Sequence, residues 1–349
     1  MSSAAVKLED FNSELRQNSD FGRDKMISGG MNMNKRWTDA ISAVLLTLLV
    51  PWLLFNTALL FSEQERDLPL DATVPDEAVE SDFVSVRVLT EDGTVITMDL
   101  EEYLVGVVAG EMPSDFHPEA LKAQAVVART YTLRMREGSS KHPDADICTH
   151  SECCQSYRAG ESAAIRLAVE STAGQVLTYD GKLIEATYFS SSGGRTEAAL
   201  AVWGSDIPYL QSVNSPETDY MEAFLETVTI SDDEFRDALG IQPEGPCGGW
   251  FGEVAYTDGG GVETIEIAGR VFKGTELRKL LGLRSTAMVI SAVGDHIIIT
   301  TQGYGHRVGM SQYGAESMAV AGATYDEILS YYYQGTTLEL FVDKDSSVG

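Results

Sequence analysis

The sequence predicts an α+β fold: a single mixed helix-and-strand extracytoplasmic domain behind an N-terminal transmembrane helix. Residues 40–61 carry no formal charge for roughly 22 positions, the length a helix needs to cross a bilayer. Beyond them, strand-like alternation and capped helical segments are interspersed, with no repeat at solenoid spacing. The 349 residues leave room for one large domain or two small ones.

Lys35 and Arg36 precede the apolar span and Glu63, Glu65 and Asp67 follow it, so residues 1–39 read as a cytoplasmic tail, with a later true start at Met31 or Met33 left open. A cleaved signal peptide is the rival, but the apolar stretch is long for one and no small-x-small site ends it cleanly. Residues 62–82, rich in Asp, Glu and Pro, read as a stalk. The folded domain is expected over 83–342, and 343–349 as a disordered tail.

That domain opens with an alternating strand at 83–89, a turn at Glu91-Asp92-Gly93-Thr94 and a second strand at 95–98. Asp99 with Glu102 forms a capping-box signal for a helix from Leu100 to Ala109, stopped by Gly110. Glu111 follows among valines and a methionine, where burial and the negative helix end both raise a carboxyl pKa, as a general acid near neutral pH requires. A structural glutamate bonded to backbone N–H groups fits the same position.

Pro118 opens a second helix that runs through Arg134, with Lys122 and Arg129 nearly two turns apart on one side. They could line a groove beside Glu111, or Lys122 could pair with Glu119 on a solvated face. A helix over 162–171, strands at 175–179 and 182–189 joined by Asp180-Gly181, and the hydroxyl-rich loop 190–194 come next. Such a loop suits sugar binding or is a loop only. Weaker signals place a strand at 226–230, a helix at 232–239, a glycine-rich turn, and strands at 262–267, 288–293 and 296–300. A glycine-rich turn at 303–315 then enters a helix, and a short helix at 325–332 follows.

Lys and Arg total 25 against 53 Asp and Glu, a formal net charge of -28. So acidic a chain should repel nucleic acid, and no nucleic-acid partner is expected. His142, Cys148, Cys153 and Cys154 suit a closed four-ligand zinc site, structural because no position is left for water. Adjacent Cys153 and Cys154 cannot readily bridge each other, but disulfides involving Cys247 are the alternative outside the cell.

Four motifs carry a resemblance: Glu-Glu-Tyr-Leu-Val-Gly-Val-Val-Ala-Gly-Glu-Met-Pro (101–113), Glu-Ala-Leu-Lys-Ala-Gln-Ala-Val-Val-Ala-Arg-Thr-Tyr (119–131), Ser-Ser-Gly-Gly-Arg-Thr (191–196) and Gly-His-Arg-Val-Gly-Met-Ser-Gln-Tyr-Gly-Ala (305–315). In this order, over 83–342, they resemble the stage II sporulation protein D and amidase-enhancer family. The resemblance implies a membrane-anchored peptidoglycan lytic transglycosylase acting on denuded glycan strands during engulfment, in company with a sporulation cell-wall amidase. It implies Glu111 as catalytic acid, and Lys122 and Arg129 as supports of activity or substrate holders. Ser191, Ser192, Gly193, Gly194, His306, Gln312 and Tyr313 would line the groove. A glycan-binding module that stimulates an amidase is the second reading, and a homodimer is left open.

Two positions depart from the family pattern. Cys153 stands where the family has a histidine and His150 where it has an aspartate, so either residue could complete the zinc site with His142, Cys148 and Cys154. Arg307 replaces a glycine, which restricts the backbone beside His306.

Overall fold

The computed structural model describes residues 84–160 and 162–343. The predicted tail, membrane span and stalk lie outside the described residues, as does the chain after 343. Among the described residues no helix is long and apolar enough to cross a membrane. Helices and strands gather in a mixed α+β arrangement around two hydrophobic cores.

The first core starts with the hairpin β1 (Ser85–Leu89) and β2 (Val95–Asp99), joined in parallel by β3 (Ile147–Cys148). Asp99 ends β2 and caps α1 (Leu100–Glu111), accepting from the Glu102 N–H at 3.1 Å. The helix outruns its predicted end: Gly110 keeps helical geometry, and the Met112 N–H still reaches the Val108 carbonyl at 2.9 Å. Glu111 is therefore the last residue of the helix. Pro118 opens α2 (Pro118–Arg134), whose Ala120 to Leu133 stretch is buried at all but one position. Thr130 and Thr132 sit in that interior at little cost because their hydroxyls donate to the carbonyls of Val126 and Ala128 at 2.7 and 2.8 Å. Around this central helix pack α1, α3 (Ala163–Ser171) and β4 (Gln175–Tyr179).

Asp180 and Gly181, at φ 49° and 70°, turn β4 tightly into β5 (Lys182–Leu183). The strand expected over 182–189 is interrupted. After β5 the chain leaves this sheet and returns as β6 (Tyr188–Phe189), parallel to β13 (Met310–Ser311). The Thr187 carbonyl pins that junction by accepting from the Met310 N–H at 3.2 Å and the Tyr333 hydroxyl at 2.7 Å. The remaining elements of this core are α4 (Ala199–Trp203), α7 (Gln312–Val320), α8 (Tyr325–Tyr332) and β14 (Thr337–Leu340), which pairs with β4.

The second core lies between two three-stranded antiparallel sheets. In one, β12 (His296–Gln302) is central between β7 (Leu225–Ser231) and β11 (Met288–Val293). In the other, β9 (Val262–Ile267) is central between β8 (Phe251–Tyr256) and β10 (Arg270–Lys273). Ser231 begins α5 (Asp232–Leu239) with a full capping box, and α6 (Gly274–Leu280) follows β10. The glycine-rich turn expected before residue 262 contains β8, and β10 and α6 are likewise absent from the sequence expectation.

Candidate active site

Glu111 holds its carboxyl largely out of water, and that desolvation raises its pKa above the ordinary glutamate range. The Ser156 N–H opposes the shift by donating to Oε1 at 2.6 Å. Tyr188 and Gln312 also favour the ionised form, yet the net direction is upward. Gln312 is 4% exposed, and its Nε2 stops short of a full hydrogen bond. No second carboxylate is among the groups that shift Glu111.

Two glycines bring Ser156 to the acid. A Cβ at Gly110 would stand 2.8 Å from the Ser156 carbonyl carbon and 2.9 Å from the Tyr157 nitrogen, and one at Gly106 would fall 2.1 Å from the Tyr157 ring. Gly106 and Gly110 are one turn apart, so α1 presents a bare strip on which residues 156–158 lie, fastened by the Arg158 N–H to the Gly106 carbonyl at 3.0 Å. Gly110→Ala should therefore destabilise the fold by about 1–3 kcal/mol through overpacking, despite alanine's better helix propensity. Thermal unfolding checks this; a higher melting temperature would refute the tight packing.

The loop that ends in Ser156 carries the metal-ligand cluster. The ligand atoms of His142, Cys148, Cys153 and Cys154 all lie within 4.8 Å of one another. His142 Nε2 is 3.6 Å from Cys153 Sγ and 3.5 Å from Cys154 Sγ, and the two sulfurs are 3.9 Å apart. These spacings fit a tetrahedron with Zn–S bonds of about 2.3 Å, and are far too long for a disulfide. Burial, with the neighbouring thiols adding to it, pushes the Cys154 thiol up to about 12, so gathering thiolates here calls for a cation. His150 gives only its carbonyl to the cluster, accepting from the N–H groups of Cys153 and Cys154, and its side chain is exposed. Cys247 lies in the second core with its thiol against the Gly294 carbonyl at 3.2 Å, and all four cysteines are free.

The two predicted groove cations are both engaged elsewhere. Arg129 is fully buried: its guanidinium pairs with Glu101 at 2.6 Å and donates to the Gln175 and Val169 carbonyls. Seven-residue spacing set its side of the helix, but that side faces the core. Lys122 pairs with Glu119 at 2.7 Å and lies over the Tyr325 ring. The hydroxyl-rich loop 190–194 turns two of its serines inward. Ser191 and Ser192 are fully buried, and Ser192 binds the buried Glu217 through both its N–H (2.8 Å) and its hydroxyl. Ser311 adds a bond to Glu217 at 3.2 Å. Gly193 and Gly194 supply the positive φ of this turn, 71° and 108°.

His306 and Gln312 lie in one predicted segment but serve different places. Gln312 faces Glu111, whereas His306 packs on Phe189 and Trp203, with ring centroids 5.6 and 5.4 Å away. Tyr313 meets Phe116, Tyr220 and Phe224 edge to face. Arg307 does adopt the left-handed φ of 66° that glycine would favour. Its buried guanidinium offsets that strain by donating to the carbonyls of Ser192, Arg195 and Gly259 at 2.7–2.8 Å and to Glu197 at 3.1 Å.

Two residues that act on Glu111, Ser156 and Tyr188, were not singled out from the sequence, nor was Gln155, which holds Tyr188. Gln155 donates to the Thr132 hydroxyl at 2.9 Å and accepts from the Tyr188 hydroxyl at 3.2 Å. Gln155 and Ser156 directly follow Cys154, and a fixed cluster must fix the residues beside it, which is the signal that could have found them.

Fold and site together define a class: an α+β protein in which one buried acid is held by the shoulder of a Cys₃His cluster. A family model described as stage II sporulation protein matches residues 90–179. Stage II sporulation protein D of Bacillus subtilis (strain 168) is 41% identical over 279 residues, covering 75% of this chain and 81% of that protein. The Bacillus amyloliquefaciens protein of the same name is 42% identical over 272 residues, covering 73% and 78%. The amidase enhancer of Bacillus subtilis (strain 168) is 31% identical over 296 residues, covering 67% of this chain and 40% of that protein. The chain belongs to the stage II sporulation protein D family.

Proposed function

We propose that this protein is a membrane-anchored peptidoglycan lytic transglycosylase, its folded part outside the cell, that cleaves denuded glycan strands between N-acetylmuramic acid and N-acetylglucosamine. The supporting observation is Glu111: an acid whose pKa burial raises above the ordinary glutamate range, with no second carboxylate among the groups that shift it. The second carboxylate that two-carboxylate hydrolysis uses as a close partner is not among the groups that shift Glu111. Glu111 protonates the glycosidic oxygen as the bond to C1 breaks, then accepts the proton of the muramic C6 hydroxyl as that oxygen closes on C1. The product is a 1,6-anhydro end, no water is consumed, and Glu111 finishes protonated. Between the two steps the Ser156 N–H stabilises the carboxylate. Mass spectrometry of denuded glycan incubated with the protein should show anhydro-muramic ends; strands returned intact or hydrated would overturn the reading.

His142, Cys148, Cys153 and Cys154 would hold a structural zinc ion, which would supply no chemistry to the reaction but would keep Ser156 against the acid and Gln155 against Tyr188. Lys141, bonded to the Cys153 carbonyl, adds positive charge beside the thiolates. Chelation should lower the melting temperature and activity together, with about 4 kcal/mol of stability lost from a state holding free zinc 1,000-fold above its dissociation constant. Calorimetry beside an activity assay checks this, and activity lost at unchanged melting temperature would point to a catalytic metal instead.

The match to an amidase enhancer supports a second reading, a glycan-binding module that stimulates a separate wall amidase. The same glycan digest separates the two, because a module binds the strands and leaves them uncut.

A further inference from the structure

We propose that Arg278, with Trp203 and Tyr304 beside it, forms a second binding site for the carboxylate-bearing amino sugars of a glycan strand, on the face of β6 turned away from Glu111. The inference rests on the glycan reading above and supplies the cation that Arg129 and Lys122 do not.

Successive strand residues point to opposite faces. Tyr188 acts on Glu111, while Phe189 meets His306 on the other side. There the Arg284 carbonyl accepts from two donors, the Gly305 N–H at 3.0 Å and Arg278 Nε at 3.2 Å, which fixes the Arg278 guanidinium against the turn that carries Tyr304 and His306. Its Nη atoms have no carboxylate or carbonyl partner among the described residues. In a chain with 53 acidic side chains, a half-buried arginine without an acid is conspicuous. The neighbouring Arg284 shows the contrast, since it pairs with Glu226 at 2.9 Å. Burial depresses the pKa of Arg278, the sign of a guanidinium partly stripped of water. A planar fork held in this way is suited to a carboxylate.

The surroundings suit a sugar. Trp203, 41% exposed, packs on His306, and Tyr304 is 49% exposed with the Arg284 guanidinium over its ring, so both aromatic side chains keep part of their surface in water. His306 itself is satisfied: Nδ1 accepts from the Val308 N–H at 3.1 Å, and burial, with the nearby Arg278, pulls its pKa down to about 4. It stays neutral and acts as a ring between Phe189 and Trp203, leaving Arg278 as the charge that an anion meets. The muramic residues of a denuded strand carry a lactyl carboxylate on an otherwise neutral sugar, which matches one cation flanked by aromatic faces.

The test uses full-length protein carrying Glu111→Gln, denuded glycan, and the same glycan with its carboxylates converted to methylamides. Amidation should weaken binding to this protein about tenfold, and adding Arg278→Gln should weaken native-glycan binding about tenfold with no further loss on amidation. Adding Trp203→Ala should weaken binding of both glycans. The amidation arm needs no new variant, so it stands even if Arg278→Gln folds poorly. An equal amidation penalty with and without Arg278, or uncharged chitin oligosaccharides bound as tightly as native glycan, would overturn the site. If wild-type protein yields no anhydro ends while the Arg278 dependence holds, the transglycosylase reading fails and this site stands. If neither glycan binds, both fail.

Discussion

Glu111→Gln should lower formation of anhydro-ended glycan by roughly 10²–10⁴-fold, the usual contribution of a positioned acid–base group, while leaving the protein folded. Glutamine has the same shape and can still accept the Ser156 N–H through its carbonyl oxygen. The pH dependence is the sharper signature. Desolvation raises the folded-state pKa of Glu111, so the stability this group contributes is complete below the unfolded glutamate pKa of about 4.3 and is lost as pH rises through the raised value. Glutamine carries no such loss. The melting temperature of Glu111→Gln relative to wild type should therefore climb with pH across that window, and wild-type kcat/KM should fall on the alkaline side as the acid form disappears. A pH-independent difference in melting temperature would remove the case for a buried acid, and normal turnover by the variant would remove the catalytic assignment.

Arg129→Ala should be the most damaging single change to stability, at about 3–5 kcal/mol, because it breaks a buried ion pair and leaves its partners behind. Glu101 loses its guanidinium, and the Gln175 and Val169 carbonyls lose their donor within the packing of α2, α3 and β4. Since Glu101 is 31% exposed, water relieves part of its cost, which places the loss toward the lower end of that range. Arg129→Lys keeps the charge but cannot span three acceptors, so it should recover only part of the stability. Denaturant titration with activity measured well below each midpoint is the decisive pair of measurements. A variant as stable as wild type but unable to bind glycan would restore Arg129 to the substrate groove.

What could be read in the sequence was local. Asp99, Pro118 and Asp180-Gly181 each act within a few residues of themselves, and each produces the cap, helix start or turn its chemistry implies. The apolar company of Glu111 is likewise local, and burial does raise its pKa. Features that failed to show depend on distant chain. β6 exists because Met310 and Ser311 arrive beside it, and β8 and β10 exist because β9 lies between them. Ser156 contacts the acid only because Gly106 and Gly110 leave α1 bare. Arg129 illustrates the converse limit: helical spacing says which residues share a side, but what that side meets is decided by the rest of the fold.

The two residues of β6 also set how this protein tolerates insertions and deletions. Tyr188 and Phe189 look in opposite directions, and the Thr187 carbonyl anchors the strand against Met310 and Tyr333. A one-residue slip of this pairing against Met310 and Ser311 would exchange the two faces, turning Tyr188 from the acid and Phe189 from His306 in one step. An insertion at 188 or 189 should therefore disturb both environments together, whereas exposed turns such as Glu91-Asp92-Gly93 are free of that constraint.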